Sequence, residues 1–461
     1  MPSPARAVYS AVLWLAQPWL RAKLARRAKA EPVYGQQIEE RFGHYSGPAQ
    51  PGAVWVHAVS LGETRAAAIL IAKLRHLMPG MRLLLTHGTA TGRSEGLALL
   101  QAGDVQVWQP WDTLGATQRF LAHFKPAIGI VMETEVWPNL CAAAHVAGVP
   151  LVLANARLNA SSAQSAQRLA WLARPAYASF AQVWAQTSDD AERLKAVGAQ
   201  SVSVQGNLKF DAEVAMQQVQ QGRAWRAASA RPVVMLASSR EGEETLFLER
   251  IRALASINIA KAAINSGAPY FSIQTAQAAS ETLARSAPVQ WMIVPRHPQR
   301  FDAVAQLVTQ AGFSLSRRSQ WPDAPQHSPP SAPQPADVWL GDSLGEMAVY
   351  YGLADVALLG GSFAPLGGQN LIEAIAATCP IVMGPHTFNF ADAAQTALEQ
   401  GAALRVQGMA QGLDVAVALA TDAARRTAMG AAGEQWLSTS RGAAQRMAQA
   451  VVDLLAQTTR R

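Results

Sequence analysis

AVWVHAVSLGETRAAAILI, residues 53–71, passes from a short apolar run through a polar turn into an Ala- and Leu-rich helical pattern. A strand ending at Val59 and a helix starting near Leu61 are the predicted elements. The same alternation recurs in MRLLLTH before a helix after Thr91, in AIGIVM before a helix near Trp137, and in PLVLANAR before a long Ala-rich stretch. Strands that alternate with helices at this spacing predict a parallel, doubly wound α/β sheet. This first domain is expected over residues 41–225. The pattern loosens from Gly206 to Arg231 and then restarts with PVVMLAS, WMIVPRH, VWLGD, VALLGGS and PIVMG, which predicts a second sheet of the same class over 231–425. RRSQWPDAPQHSPPSAPQPAD, residues 317–337, holds six prolines and is expected to be a surface loop, since proline breaks helices and central strands. Residues 426–461 read as a helical segment.

Half of the 461 residues are hydrophobic and 15% are charged, which excludes a disordered chain and predicts two or more domains. The net charge of +7 points to an anionic partner. Nucleic acid, phospholipid and phosphorylated substrates meet that condition equally. A basic nucleic-acid-binding protein is the alternative from another class, but aromatic residues are not interleaved with Lys and Arg as in a recognition module, so no nucleic acid is expected. Cys141 and Cys379 are the only cysteines and are not spaced for a disulfide framework or a zinc site, which fits a reducing compartment.

Residues 1–40 read as a membrane-associating segment. VYSAVLWLAQPWL, Val8 to Leu20, is apolar but interrupted by Pro18, and it is shorter than the roughly 20 residues a spanning helix needs. Arg21, Lys23, Arg26, Arg27 and Lys29 follow without an intervening acid. An apolar aromatic run leading into a basic cluster suits the surface of an anionic membrane. Its charge comes after the apolar run rather than before it, unlike a signal peptide. An amphipathic helix packed on the body of the protein is the other reading.

Candidate chemistry lies where strands end. Glu63 sits in the first turn of a helix, where the dipole favours an ionised carboxylate able to act as a base. Ser60-x-x-Glu63 is equally a capping box. Glu133 and Glu135, in METEVWP, follow a strand and read either as substrate-binding acids or as acids of a helix start. Arg157 in ANARL and Lys209 in GNLKFD are further polar positions after strands, as are Asn155 and Asn207. In the second half, Arg296 in VPRHP is suited to grip a phosphate. GDSLGEM, with Gly345, Glu346 and Met347, adds a strand-to-helix turn. LGGS at 359–362 and GGQNLIE at 367–373 form glycine-rich turns whose amides could cradle phosphate, with Glu373 placed to accept ribose hydroxyls. There is no dinucleotide fingerprint, Walker A sequence, Asp-x-Asp or zinc-like histidine pairing, so a reaction without metal or cofactor is expected.

Taken in order, EERFG, HAVSLGE, METEVWPNL, ANARL, GNLKFD, VPRHPQRF, GDSLGEM, GGSFAPLGGQNLIEA and MGPHTFNF resemble the 3-deoxy-D-manno-octulosonic acid (Kdo) transferases of lipopolysaccharide biosynthesis. The resemblance implies a GT-B type fold, two doubly wound Rossmann-like domains facing across a cleft. The first would bind the acceptor and the second the donor. It further implies CMP-Kdo as a donor substrate, a tetraacyldisaccharide 1,4'-bisphosphate lipid A precursor (lipid IVA) as acceptor, inverting transfer without metal, and a place on the cytoplasmic side of the inner membrane. By motif, Glu63 becomes the general base, with Ser60, Glu133, Glu135, Arg157 and Lys209 on the acceptor side. Pro295, Arg296, His297, Gly345, Glu346, Met347, Asn370, Leu371, Ile372 and Glu373 become the CMP-binding set. Gln369 and Leu371 depart from the Gly-Gly-His-Asn-Pro that the family commonly has. Nothing is carried onto the Pro-rich insertion or residues 250–290. Another nucleotide-sugar glycosyltransferase or an epimerase of the same fold is the alternative within the class.

Overall fold

The computed structural model describes residues 4–47, 49, 51–265, 288–321 and 333–459. Most of the Pro-rich insertion and much of the 250–290 stretch lie outside the described residues. The chain divides into two compact units, 1–212 with 440–461, and 213–439.

Unit 1 holds β1 (Val54–His57), β2 (Leu83–His87), β3 (Val105–Trp108), β4 (Ile128–Met132), β5 (Leu151–Ala156), β6 (Gln182–Ala185) and β7 (Val202–Val204). They pair in parallel in the order β3-β2-β1-β4-β5-β6-β7. Side chains alternate across the sheet. Trp55, Leu84, Val131 and Leu153 build the core on one face, and Val54, Val56, Leu83, Leu85 and Ile130 build it on the other. Unit 2 holds β8 (Val233–Ser239), β9 (Gln290–Pro295), β10 (Leu315–Arg317), β11 (Val338–Leu340), β12 (Val356–Leu359), β13 (Ile381–Met383) and β14 (Ala403–Arg405). Their order is β10-β11-β9-β8-β12-β13-β14, again all parallel. Without β10 this is the doubly wound order of unit 1 up to its sixth strand.

The boundaries differ from the sequence expectation. The helix Met216–Ala228 belongs to unit 2 rather than to a first domain ending at 225, because Gly222 and Gly352 let it press backbone to backbone on the helix Met347–Leu353. The C-terminal segment is divided as well. The helix Ala423–Ser440 packs almost wholly with unit 2, while Ala443–Thr459 packs on the helix Leu61–Leu77 of unit 1 through Ala444, Met447, Ala448 and Val451. Asp211 receives the N–H groups of Gly442 (2.5 Å) and Ala444 (2.6 Å) at the start of that last helix. Arg317, expected to open a loop, lies instead in edge strand β10, its guanidinium bound to the buried carboxylate of Asp342.

At the N-terminus, helices Pro4–Leu15 and Gln17–Ala30 follow one another, with Pro18 near the start of the second, where its missing N–H costs nothing. Leu20 and Leu24 are buried, and Leu24 packs with Tyr34, Ala90 and Trp108. Val8, Val12, Trp14, Leu15 and Trp19 are exposed. No helix among the described residues is long and apolar enough to cross a membrane.

A Cβ added at Gly222 would lie 2.7 Å from the backbone nitrogen of Leu353 and closer still to the carbonyl oxygen of Val349. Gly222→Ala should therefore destabilise unit 2 by about 1–3 kcal/mol despite its better helix propensity. A lower urea midpoint with an unchanged slope is the expected measurement.

Candidate functional site

In a doubly wound sheet the loops after the first strand and its opposite neighbour diverge, opening a crevice at the carboxyl edge. In unit 1 these are the loops after β1 and β4, and they carry Ser60, Glu63, Glu133 and Glu135. Ser60 caps the helix Leu61–Leu77, its Oγ accepting the N–H of Glu63 at 3.3 Å and donating to Glu63 Oε1 at 2.8 Å. Glu63 Oε2 accepts the N–H of Val59 at 2.8 Å. The capping geometry is thus present, shifted by one residue towards the strand. Each carboxylate oxygen still has a lone pair for a substrate hydroxyl.

Glu133 holds a left-handed backbone at φ 55°, an uncommon conformation for a residue with a side chain and one that concentrates at functional sites. Its N–H is donated to the carbonyl of Ala154 at 2.9 Å. The Trp137 indole donates to Glu135 Oε2 at 2.9 Å. Burial raises the pKa of Glu63, and the neighbouring Glu133 adds to the effect, although the Val59 and Ser60 donors work against it. Glu135 is raised to about 7, first by burial, then by the charges of Glu63 and Glu133. The three carboxylates therefore form one electrostatically coupled group.

The other unit 1 candidates have different situations. Arg157 is exposed beyond β5, with its N–H 3.5 Å from the carbonyl oxygen of Glu133. Lys209 lies in a short turn closed by its own N–H to Asn207 Oδ1 at 3.0 Å. Asn155 is buried at φ 53° and its Oδ1 accepts the N–H of Leu208, while Asn207 Nδ2 donates to Gln186. Asn207 spends both ends of its amide on internal partners, whereas Asn155 engages its Oδ1 and keeps a buried Nδ2 without a hydrogen-bond partner among the described residues.

In unit 2 the corresponding loops follow β8 and β12. Pro295 ends β9, and the next residue, Arg296, is exposed, donating its N–H to Ser239 O and its Nε to Gln369 Oε1 at 3.1 Å. The pKa of His297 is lowered by desolvation and by Arg240, Arg296 and Arg300 around it. Arg300 also donates to the buried Glu244 at 3.3 Å. So dense a cluster of cations is a natural seat for an anion.

The glycine-rich turns differ from expectation. Amides of the 360–364 turn do not await a phosphate: the buried carboxylate of Glu243 already accepts the N–H of Gly361 (2.8 Å), Phe363 (3.1 Å) and Ala364 (3.3 Å), together with that of Arg240 (2.9 Å). Leu371 and Ile372 are core side chains, and the Ile372 N–H is taken by Asn370 Oδ1 at 3.1 Å. The helix they open, Ile372–Ala376, has five residues and so little dipole of its own. Asn370 Nδ2 donates to Glu373 Oε1 at 3.0 Å, which orients that carboxylate. Gly345, at φ 76°, turns the chain before the helix Met347–Leu353. Glu346 is held by Arg318 at 2.8 Å and by Ser343, and Met347 Sδ lies 3.9 Å from Ser238 Oγ. Sequence reasoning missed Arg240, Glu243 and Arg300. The available signal was SREGEE after β8, which repeats the design of SLGE after β1.

Two doubly wound units, one with an acid-lined carboxyl edge and the other with a cation-lined one, form an α/β fold of GT-B type, a class that holds glycosyltransferases and nucleotide-sugar epimerases. The fold is similar to that of a glycosyltransferase from Rickettsia africae, with a TM-score of 0.51 at 11% identity, covering 89% of this chain and 99% of that one. Residues 36–212 match the family model described as 3-deoxy-D-manno-octulosonic-acid transferase (kdotransferase). Over the whole chain it is 45% identical to the 3-deoxy-D-manno-octulosonic acid transferase of Bordetella pertussis, with 98% of this chain and 99% of that one aligned. Identity to the Haemophilus influenzae transferase is 30%, over 96% and 97% of the two chains. The chain belongs to the Kdo transferase family, the glycosyltransferases that add Kdo in lipopolysaccharide biosynthesis.

Because the folded pKa of Glu135 lies above the ordinary carboxylate value, the folded state binds more protons than the unfolded one between about pH 4.5 and 7, and stability falls as pH rises through that window. Glu135→Gln can keep the Trp137 hydrogen bond. It should raise the thermal midpoint at pH 8 by an amount worth about 1–3 kcal/mol and change little near pH 4.5.

Proposed function

We propose that this enzyme transfers Kdo from CMP-Kdo to a tetraacyldisaccharide 1,4'-bisphosphate lipid A precursor, with inversion at the anomeric carbon and without metal or cofactor. The observation that carries the reading is the placement of Glu63 at the carboxyl edge of β1, half-buried beside two further carboxylates. Burial and the negative charge of Glu133 strengthen its hold on a proton, which suits a general base once it is ionised. An acceptor hydroxyl takes up a lone pair of Glu63, gives up its proton there and attacks the anomeric carbon, while the bond to the phosphate oxygen of CMP breaks.

Arg296, with Arg240, His297 and Arg300 around it, suits the phosphate of the departing CMP and the carboxylate of Kdo. These cations would supply the charge stabilisation that the leaving group needs. Asn370 and Glu373 are paired as a polar rim for the nucleoside, and Gly345 to Met347 border the same strand edge. Ser60, Glu133, Glu135, Arg157 and Lys209 stand on the acceptor side, where the two basic residues suit the phosphates of the precursor. The exposed apolar face of the N-terminal helices, followed by Lys23, Arg26 and Lys29, suits an anionic membrane surface. This agrees with work at the cytoplasmic side of the inner membrane on a lipid acceptor.

Glu63→Gln should lower the turnover number by about two to four orders of magnitude and leave calorimetric CMP affinity within about twofold of wild type. Retained turnover would leave Glu63 as a helix cap alone. In the same assay, Arg296→Ala should weaken CMP binding by about tenfold or more, the cost of one charge-assisted contact.

A further inference from the structure

The N-terminal helix does not present its apolar face alone. Helix Pro4–Leu15 packs beside the helices Pro138–Val146 and Ala170–Ala178, with Ser10 Oγ donating to Asn139 at 3.0 Å and Tyr9 to Asp112 at 3.0 Å. A groove of about 1010 Å³ runs among these helices, and Arg6, His145, Val146, Trp171 and Leu172 are on its walls. Two of its wall residues are large, apolar and open to solvent, Val146 at 83% and Trp171 at 52% exposed, and Leu169, two residues before Trp171, is 49% exposed. The N-terminal helix that packs on these helices also exposes Val8 and Val12. Large apolar side chains gathered in this way mark an interaction surface.

The charge pattern identifies the partner. Although the chain has 32 Asp and Glu, none occurs in residues 1–30, which carry Arg6, Arg21, Lys23, Arg26, Arg27 and Lys29. None occurs in residues 136–188 either, which carry Arg157, Arg168 and Arg174. The two acid-free segments are far apart in sequence and adjacent in the fold. Arg168 and Arg174 are exposed on either side of Trp171 in sequence. Tryptophan settles at the level of lipid headgroups, and arginine reaches from an apolar surface to phosphate.

We propose that Leu169 and Trp171, with Arg168 and Arg174, form a second contact with an anionic bilayer beside the N-terminal helices. Unit 1 then meets the membrane through two separate segments of chain. This rests on the membrane-surface reading given above. Two contacts orient the unit, where a single helix would leave it free to swing, so the acceptor-side edge keeps one attitude to the bilayer.

The test is cosedimentation of the full chain with vesicles of phosphatidylcholine, with and without phosphatidylglycerol. The paired change Arg168→Gln and Arg174→Gln should weaken binding about fivefold per arginine, and only on the anionic vesicles. Trp171→Ala should weaken it about fivefold or more on those vesicles, and Trp19→Ala should add a further independent loss. Thermal midpoints should stay at the wild-type value, since these side chains are exposed. Should Trp171→Ala and the paired arginine variant bind as wild type while Trp19→Ala does not, the second contact is overturned and the N-terminal one stands. If wild type itself binds neither vesicle, the membrane reading fails together with this proposal.

Discussion

Every described strand pair in this protein is parallel, and that one constraint places the chemistry. A parallel neighbour is reached only by a crossover, here mostly helical, so all strands of a sheet end at the same edge. The winding reverses at the first strand of each unit, and loops distant in sequence meet there. Ser60 to Glu63 and Glu133 to Glu135 come together after β1 and β4 for this reason. In unit 2 the same reversal brings Glu243, after β8, onto the amides of the turn that follows β12.

Opposite charges occupy the two edges, and each is costly for the fold. Three carboxylates share a half-buried edge in unit 1, which is why Glu135 binds its proton up to about pH 7. In unit 2 the pKa of His297 is lowered first by desolvation and then by Arg240, Arg296 and Arg300, which crowd it. Neither arrangement is explained by packing. Both suit a reaction in which a proton is collected at one edge and a departing anion at the other. The left-handed backbones of Glu133, Asn155 and Ser238, each at a strand end, add local strain at the same edges.

Glu243 shows how a motif can be seen correctly and its chemistry misjudged. Glycines after β12 do form a tight, amide-rich turn, with Gly361, Gly367 and Gly368 all at positive φ. Those amides were expected to meet a ligand phosphate. A buried side chain from the start of the helix after β8 meets several of them instead. Nothing local in LGGS or GGQNLIE signals this. The partner lies over a hundred residues upstream and is brought close only by the pairing of β8 with β12.

Much of the fold was legible because its signals are local. Apolar runs of strand length, polar turns and helical periodicity alternate along the chain, and each follows from backbone geometry over a few residues. The family was legible too, from short motifs at strand ends. Unit boundaries were less so: Met216–Ala228 and Ala443–Thr459 are helical by pattern, but which body each joins depends on the fit of Gly222 to Gly352 and on Asp211 at a helix start. The sequence by itself determined the class of fold, the order of its elements and the residues available for chemistry. Only the tertiary structure decided which polar groups are spent on one another and which remain open, because burial and hydrogen-bond partnership depend on contacts between residues far apart in the chain.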